Sequence, residues 1–249
     1  MYGLIGAALV GIAVFSWLCW RAVRELGVRP ARPTPRTWLS LLRLSIPFGI
    51  ASLALGLSYR FDTVLLEVTR SSAETGYYNV AYNLIFSAML LSNVVNTSLY
   101  PSLASRTGGD SAMLSNVYQR MLRYLMAFSL PLAVGAYMLA PQFMHLLYGE
   151  RNEAAIPIFQ ILIWVVPFMY ASEFLGYVVI VKGLERKGVR SLLISTACNV
   201  LINLFLVPRY GYYAAAVVTV VTEIVLVLQY LWLLRDELRH FNIGMVLLR

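Results

Sequence analysis

The sequence alternates between long apolar stretches and short connections that carry most of its charge. A helix needs about 20 mostly apolar residues to cross the hydrocarbon core of a membrane. Its backbone polar groups must also be satisfied within the membrane. This pattern therefore predicts an all-α fold, a polytopic membrane helical bundle with about seven transmembrane helices. The seven predicted spans cover approximately residues 3–20, 44–67, 77–101, 123–147, 157–181, 190–207 and 212–234.

The composition supports a membrane protein. Hydrophobic residues make up 59% of the 249 residues and charged residues only 13%, whereas soluble domains are about half apolar and about a quarter charged. This balance excludes a disordered chain and most soluble enzymes. The net charge of +8 comes from basic clusters between apolar stretches, so we expect membrane lipids as partners and no nucleic acid.

The basic residues predict the orientation of the chain. Sixteen of the 20 Lys and Arg residues lie in four alternate connections, at residues 21–43, 102–123, 182–190 and 235–249. Cytoplasmic connections of membrane proteins are enriched in Lys and Arg. We therefore expect a multi-pass protein with its N-terminus outside and its C-terminus in the cytoplasm.

Residues that commonly perform catalysis are scarce. The chain has two histidines, and it contains no GxSxG motif, no HExxH motif and no paired-carboxylate motif. Its two cysteines, Cys19 and Cys198, lie in apolar stretches and form no CxxC pattern. We therefore expect a protein that is not an enzyme and that needs neither a metal ion nor a cofactor.

Two ionisable residues inside the second span are candidate functional groups. Ionisable side chains within a membrane span are costly and usually functional. Arg60 and Asp62 are two positions apart and should point in different directions on a helix. Arg60 either faces a hydrated cavity or pairs with a carboxylate on another helix. Asp62 is either the partner of Arg60 or a structural acceptor of another hydrogen bond. Small residues that lead to Arg60 indicate close helix packing or a cavity wall: Ser45, Gly49, Ser52 and Gly56.

Polar residues also follow two other spans. The third span contains Asn79 and Asn83, and the sixth contains Asn199 and Asn203. Residues four positions apart share one face of a helix. These faces predict either contact with a hydrated cavity or hydrogen bonds between helices.

Two glutamates lie within further spans. Glu173 is in the fifth span and Glu223 in the seventh. Each is protonated and silent, paired with Arg60, or part of a site that binds a proton or another cation.

Three segments together resemble a known family of membrane transporters. The first, from Tyr59, reads YRFDTVLL; the second, from Thr75, reads TGYYNVAY; the third, from Val207, reads VPRYGYYAAA. In this order and spacing they resemble the polysaccharide (oligosaccharide) flippases of the multidrug/oligosaccharidyl-lipid/polysaccharide exporter superfamily. The resemblance extends over nearly the whole chain from about residue 38.

The resemblance implies a transporter of the inner membrane that moves polyprenyl diphosphate-linked sugars from the inner to the outer leaflet. Such proteins alternate access between two six-helix lobes. Residues 1–37 would then be the last helix of the first lobe with a basic cytoplasmic linker, and residues 38–249 the six-helix C-terminal lobe. We therefore expect a fragment of a longer protein, or a chain that pairs with a second one, because the N-terminal lobe is missing.

The resemblance also suggests roles for the polar residues. Arg60 best fits the cationic residue that attracts the diphosphate, since a guanidinium can bind phosphate oxygens through two parallel hydrogen bonds. Asp62 matches the recurrent aspartate of that helix, and the asparagines would face the sugar.

Two other functions remain open. In a cation-coupled multidrug exporter of the same superfamily, Glu173 or Glu223 would carry the coupling ion. A non-transporting membrane scaffold for polysaccharide assembly should tolerate Arg60→Ala, whereas a flippase should lose export.

Overall fold

The structure, a computed structural model, describes residues 2–25, 27, 34–104 and 111–235. Within these residues it contains helices and no strands, which confirms the all-α prediction. One 3₁₀ turn, Glu150–Asn152, lies between the fifth and sixth helices. The α-helices are α1 (Tyr2–Glu25), α2 (Pro35–Thr69), α3 (Ser72–Ala104), α4 (Ser111–Met138), α5 (Ala140–Tyr148), α6 (Ala155–Leu162), α7 (Val165–Val181), α8 (Glu185–Tyr210) and α9 (Tyr212–Leu233).

Six segments in the described part of the chain are long and apolar enough to cross a membrane, and they correspond to the second to seventh predicted spans. The first predicted span, residues 3–20, falls within α1. Side chains 2–9 of that helix lie outside the described residues. The six segments are Ser45–Thr69, Ser72–Ser98, Val117–Met138, Ala155–Val181, Glu185–Tyr210 and Tyr212–Leu233.

The predicted fourth span, residues 123–147, is wrong at its end. The structure divides it, because α4 ends at Met138 and a separate helix, α5, begins at Ala140. Pro141 has no N–H group to donate to the carbonyl four residues earlier, and proline is favoured in the first turn of a helix. That carbonyl belongs to Tyr137, and it accepts a hydrogen bond of 3.3 Å from the Gln160 side chain instead.

Two other prolines have opposite effects on their helices: a break lies close to Pro167, whereas the helix continues through Pro208. The fifth predicted span is interrupted between α6 and α7, close to Pro167, which cannot donate to the carbonyl of Ile163. By contrast, α8 continues through Pro208 to Tyr210, so the predicted end of that span at residue 207 is wrong. The turn begins at Gly211, whose positive φ of 62° favours glycine.

The chain divides into two compact units, Met1–Ser45 and Ile46–Arg249. In the first unit, Arg21 and Arg24 lie over the rings of Trp17 and Trp20, at 5.8 and 4.3 Å from the ring centroids. Such pairs are typical of the end of a membrane span. The predicted domain boundary between residues 37 and 38 falls within the continuous helix α2 and stays a prediction.

The second unit is organised around the segment α6–α7, which has the largest buried fraction of the six spans. α7 packs against α3, α4 and α9, and α8 packs mainly against α9. Tyr78, Tyr170 and Phe174 are among the largest fully buried side chains of this core. α2 is joined to the other helices by side-chain hydrogen bonds, including one of 2.8 Å between Ser58 and Thr196.

Candidate functional site

The second unit distributes the eight predicted site residues among three places. One is an exposed polar face of α2 and α3, another is a buried cluster that joins four helices, and the third is a cavity. The polar face contains Arg60, Asn79 and Asn83. The buried cluster contains Asp62, Asn199 and Asn203. The cavity is lined by Glu173 and Glu223, and Asn199 lines it as well.

The buried cluster is centred on Asp62, which is only 1% exposed. Its Oδ2 atom accepts hydrogen bonds of 2.9 Å from the hydroxyls of both Tyr78 and Thr219. Its Oδ1 atom accepts a hydrogen bond of 2.6 Å from the Asn203 side chain. The carboxylate thus joins α2, α3, α8 and α9, and three donors offset the cost of removing it from water.

The asparagines of α8 extend this cluster. Asn203 also donates to the Asn199 side chain at 3.3 Å, and Asn199 donates to the hydroxyl of Thr222 on α9 at 3.2 Å. These contacts are the hydrogen bonds between helices that the sequence allowed as one interpretation. Asp62 and Asn203 face neighbouring helices and do not line the cavity. Their predicted role in substrate binding stays a prediction.

The polar face is formed where α2 lies beside α3. Thr63 of α2 donates to the side chain of Asn79 on α3 at 3.2 Å. The two helices run in opposite directions, so one turn from this contact the same face carries Arg60 and Asn83, which are both exposed. The structure thus brings Arg60, Asn79 and Asn83 to one surface, at a level well inside the predicted spans.

Arg60 makes neither a hydrogen bond nor an ion pair with any described residue. Asp62 is not its partner, because it points into the bundle, and Glu173 and Glu223 bind other groups. The stripe of small residues on α2 is also uncovered, since a Cβ added at Gly49 or Gly56 would meet nothing within 4 Å. At these two glycines the stripe therefore makes no close helix contact within the described part of the chain.

The depth of Arg60 limits what can lie beside it. Arg60 precedes the end of the span at Thr69 by nine residues, which corresponds to about 14 Å along a helix. This places its Cα near the middle of a hydrocarbon core about 30 Å thick. A guanidinium facing lipid at that depth costs several kcal/mol. The polar face is therefore suited to water or to another protein surface, and not to lipid.

The cavity has a volume of about 580 Å³ and is lined by residues of α2, α3, α7, α8 and α9. Its lining residues lie within positions 48–59 of α2, 82–93 of α3, 169–180 of α7, 185–199 of α8 and 219–230 of α9, so it extends from the middle of the bundle towards one end. Asn199 and Thr219 line it from the side of the Asp62 cluster. The cluster therefore lies at the inner end of the cavity.

Two of the carboxylates that line the cavity accept hydrogen bonds from neutral donors. Glu173 accepts hydrogen bonds from Ser92 at 2.6 Å and from Asn93 at 2.9 Å. Glu223 accepts a hydrogen bond from Ser172. Neither glutamate forms an ion pair within the described part of the chain.

Sequence reasoning missed two other residues of this site. Glu185, at the start of α8, lines the same cavity, and its buried Oε2 atom has no hydrogen-bond partner among the described residues. Ser172 precedes Glu173 directly but binds Glu223, which is 51 positions away. No local pattern indicates a contact over that separation, because it depends on how α7 packs against α9.

Residues 1–157 match the sequence profile of the polysaccharide biosynthesis protein family, and this range contains Arg60 and Asn83. The chain is 25% identical over 160 residues to the lipopolysaccharide biosynthesis protein WzxC of Escherichia coli, covering 60% of this chain and 32% of that protein. It is 24% identical over 187 residues to an uncharacterized membrane protein of Methanocaldococcus jannaschii, covering 74% and 36%.

The chain thus spans about a third of the length of each of these two relatives. The profile covers well over half of the chain and includes the whole polar face of α2 and α3. With six apolar helices in a bundle and a match of this extent, the chain belongs to the polysaccharide biosynthesis protein family.

Proposed function

We propose that the chain forms one lobe of a lipid-linked oligosaccharide flippase that works by alternating access. Family membership and the similarity to a lipopolysaccharide biosynthesis protein support a role in polysaccharide biosynthesis or export. The bundle of apolar helices supports a membrane-embedded substrate path. The function is transport and not catalysis.

The observation that carries this proposal is the exposed Arg60 on the polar face. A free guanidinium can bind a diphosphate through paired hydrogen bonds. The attraction is strong where the surroundings have a low dielectric constant. Asn79 and Asn83 lie on the same face, and their amides can donate to and accept from the hydroxyls of a sugar. The face therefore offers binding groups for both parts of a lipid-linked sugar.

The polar face also needs a cover, because lipid does not suit it. We assign this cover to an N-terminal lobe of the flippase, supplied by the same polypeptide or by a second chain. The substrate would then pass between the two lobes. In the inner membrane, with the N-terminus outside and the C-terminus cytoplasmic, the cavity would lie in the cytoplasmic half of the bundle.

The test compares Arg60→Ala and Arg60→Lys with Arg209→Ala, a control at an exposed arginine at the end of α8. The variants are made in the native gene, and surface glycan and lipid-linked precursor are measured in cells. We expect Arg60→Ala to reduce surface glycan at least tenfold and to cause precursor accumulation. Lysine should restore part of the activity, because it keeps the charge but loses the paired hydrogen bonds.

Normal export by Arg60→Ala at a wild-type protein level would refute the flippase role of this face and favour a scaffold. The Arg209→Ala protein should export like the wild type. Protein level and melting temperature are measured for each variant, so that a loss of transport is separated from a loss of folding.

A second candidate function, a cation-coupled exporter, is favoured by the two glutamates in the cavity. It predicts that Glu173→Gln or Glu223→Gln abolishes transport driven by a proton or sodium gradient, while Arg60→Ala has little effect. The same set of variants therefore separates the two functions.

A further inference from the structure

The cavity of the second unit differs in charge from the polar face. Three carboxylates line it, those of Glu173, Glu185 and Glu223, and its described lining contains no lysine or arginine. This lining would repel a diphosphate, because the carboxylates and the phosphates are both negatively charged. The largely apolar surroundings have a low dielectric constant, which strengthens the repulsion. The part of a substrate that enters this cavity is therefore neutral or positive.

The hydrogen bonds of the glutamates favour a positive ligand. Glu173 and Glu223 bind neutral hydroxyl and amide donors and form no ion pair with described residues. One oxygen of Glu185 is buried without a hydrogen-bond partner among the described residues. Carboxylates without a cationic partner in an apolar cavity attract a cation that supplies both charge and hydrogen-bond donors.

The walls favour an organic cation over a simple ion. The rings of Tyr59, Phe86, Tyr177 and Tyr230 line the cavity together with aliphatic side chains. An ammonium group is attracted to the face of an aromatic ring. The volume of about 580 Å³ also lies within the range of about 300–1,000 Å³ typical of small-molecule sites.

The remaining lining residues can bind a sugar. Asn93, Asn199 and Thr222 line the cavity with amide and hydroxyl groups, which donate to and accept from hydroxyls. The polysaccharide biosynthesis family supplies the context in which such a ligand would occur.

We propose that this cavity receives an amino sugar, a sugar unit whose free amine is positively charged. The proposal rests on the flippase function proposed above and specifies its substrate class, a glycan with at least one amine that is not acetylated. Glu173 and Glu223 bind the ammonium group, and the aromatic walls contact the ring. The diphosphate stays outside the cavity.

The test measures binding of soluble oligosaccharides to the purified full chain by isothermal titration calorimetry. The probe is chitotriose, with three free amines, and its matched control is the fully N-acetylated trisaccharide, which is neutral. We expect chitotriose to bind at least tenfold more tightly than the acetylated form. Equal binding of the two sugars would overturn the proposal.

Three variants locate the binding. Glu173→Gln and Glu223→Gln keep the shape and a hydrogen-bond acceptor but remove the charge, and each should weaken chitotriose binding about tenfold. Glu67→Gln is the control, because Glu67 lies near the opposite end of α2, outside the cavity, where it accepts a hydrogen bond from Ser72. An equal loss of binding in all three variants would contradict a site in this cavity.

Two further ligands test the source of the positive charge. Tetramethylammonium should bind at least tenfold more weakly than chitotriose, and tighter binding would assign the cavity to a free organic cation instead. Sodium binding that requires Glu173 and Glu223, without chitotriose binding, would identify an ion site and overturn the proposal.

These measurements need no translocation, so their failure is distinguishable from failure of the proposed function. If chitotriose does not bind but export depends on Arg60, the flippase function stands and only the amino-sugar assignment fails. If chitotriose binds but export does not need Arg60, the proposed role of the polar face fails.

Discussion

The Asp62 cluster and the cavity are adjacent and both contain carboxylates, but the surroundings of these carboxylates differ. Asp62 is buried and receives three hydrogen bonds, so both of its oxygens are occupied. Glu223 receives one hydrogen bond, from Ser172, and faces open volume. A carboxylate can accept about four hydrogen bonds. A carboxylate in a membrane span is therefore structural when neighbouring donors occupy its oxygens, and it can bind a ligand when they do not.

The largest expected effect comes from removing the centre of the cluster. Asp62→Ala leaves the Tyr78 hydroxyl and one N–H of Asn203 without their acceptor, whereas Thr219 can still donate to the carbonyl of Ala215. Each buried unsatisfied polar group costs about 1–3 kcal/mol. We expect the free energy of unfolding, measured by denaturant titration in mixed micelles, to fall by about 3 kcal/mol or more.

Asp62→Asn is the matched control for this change. It keeps the size of the side chain and one acceptor oxygen, so its loss of stability should be smaller. If Asp62→Ala unfolds like the wild type, the cluster is not a structural centre and the contrast with the cavity disappears.

The next effect tests the wall of the cavity. A Cβ at Gly188 would lie 2.6 Å from Cγ1 of Val179, whereas a Cβ at Gly176 would meet only Tyr230, at 3.9 Å. Overpacking costs about 1–3 kcal/mol, and replacing glycine by alanine within a helix gains about 1 kcal/mol. Gly188→Ala should therefore lower the melting temperature, while Gly176→Ala should leave it unchanged or raise it.

The Gly188→Ala variant should also reduce the cavity, because Gly188, Val179 and Tyr230 all line it. A lower melting temperature for Gly176→Ala than for Gly188→Ala would contradict the packing described here.

The sequence predicted the features that depend on a single helix. The apolar stretches gave six of the spans, and the spacing of Arg60 and Asp62 predicted that the two would point in different directions. The structure shows Arg60 exposed and Asp62 buried. Pro141 was a local signal for the break after α4 that length alone did not reveal, since an apolar stretch can continue across two helices.

The contacts between helices could not be predicted in the same way. Helical periodicity places Asn199 and Asn203 on one face of α8, but it does not tell which helix that face meets. Asn203 binds Asp62 across 141 positions, and Ser172 binds Glu223 across 51. These pairs depend on the packing of α2, α7, α8 and α9, which no pattern within one span specifies.

A smaller effect concerns the attachment of α2 near the cavity. The hydroxyls of Ser58 and Thr196 share a hydrogen bond of 2.8 Å, and such bonds between membrane helices contribute about 0.6 kcal/mol on average. A double-mutant cycle of Ser58→Ala and Thr196→Val should give a coupling energy of about that size. A coupling energy above about 2 kcal/mol would mean that this contact belongs with the Asp62 cluster energetically.

The smallest effect on stability is expected for Glu223→Gln, and it defines the other side of the comparison. Glutamine keeps the oxygen that accepts the hydrogen bond from Ser172, and its amide group can point into the open volume of the cavity. The change should therefore shift the free energy of unfolding by less than about 0.5 kcal/mol, as is usual for substitutions that disturb no packing. The measurement is the same denaturant titration as for Asp62→Ala. A loss of stability comparable to that of Asp62→Ala would show that Glu223 is a structural carboxylate too. Removing the charge of Glu223 can destabilise the bundle to that extent only if the neighbouring groups depend on that charge.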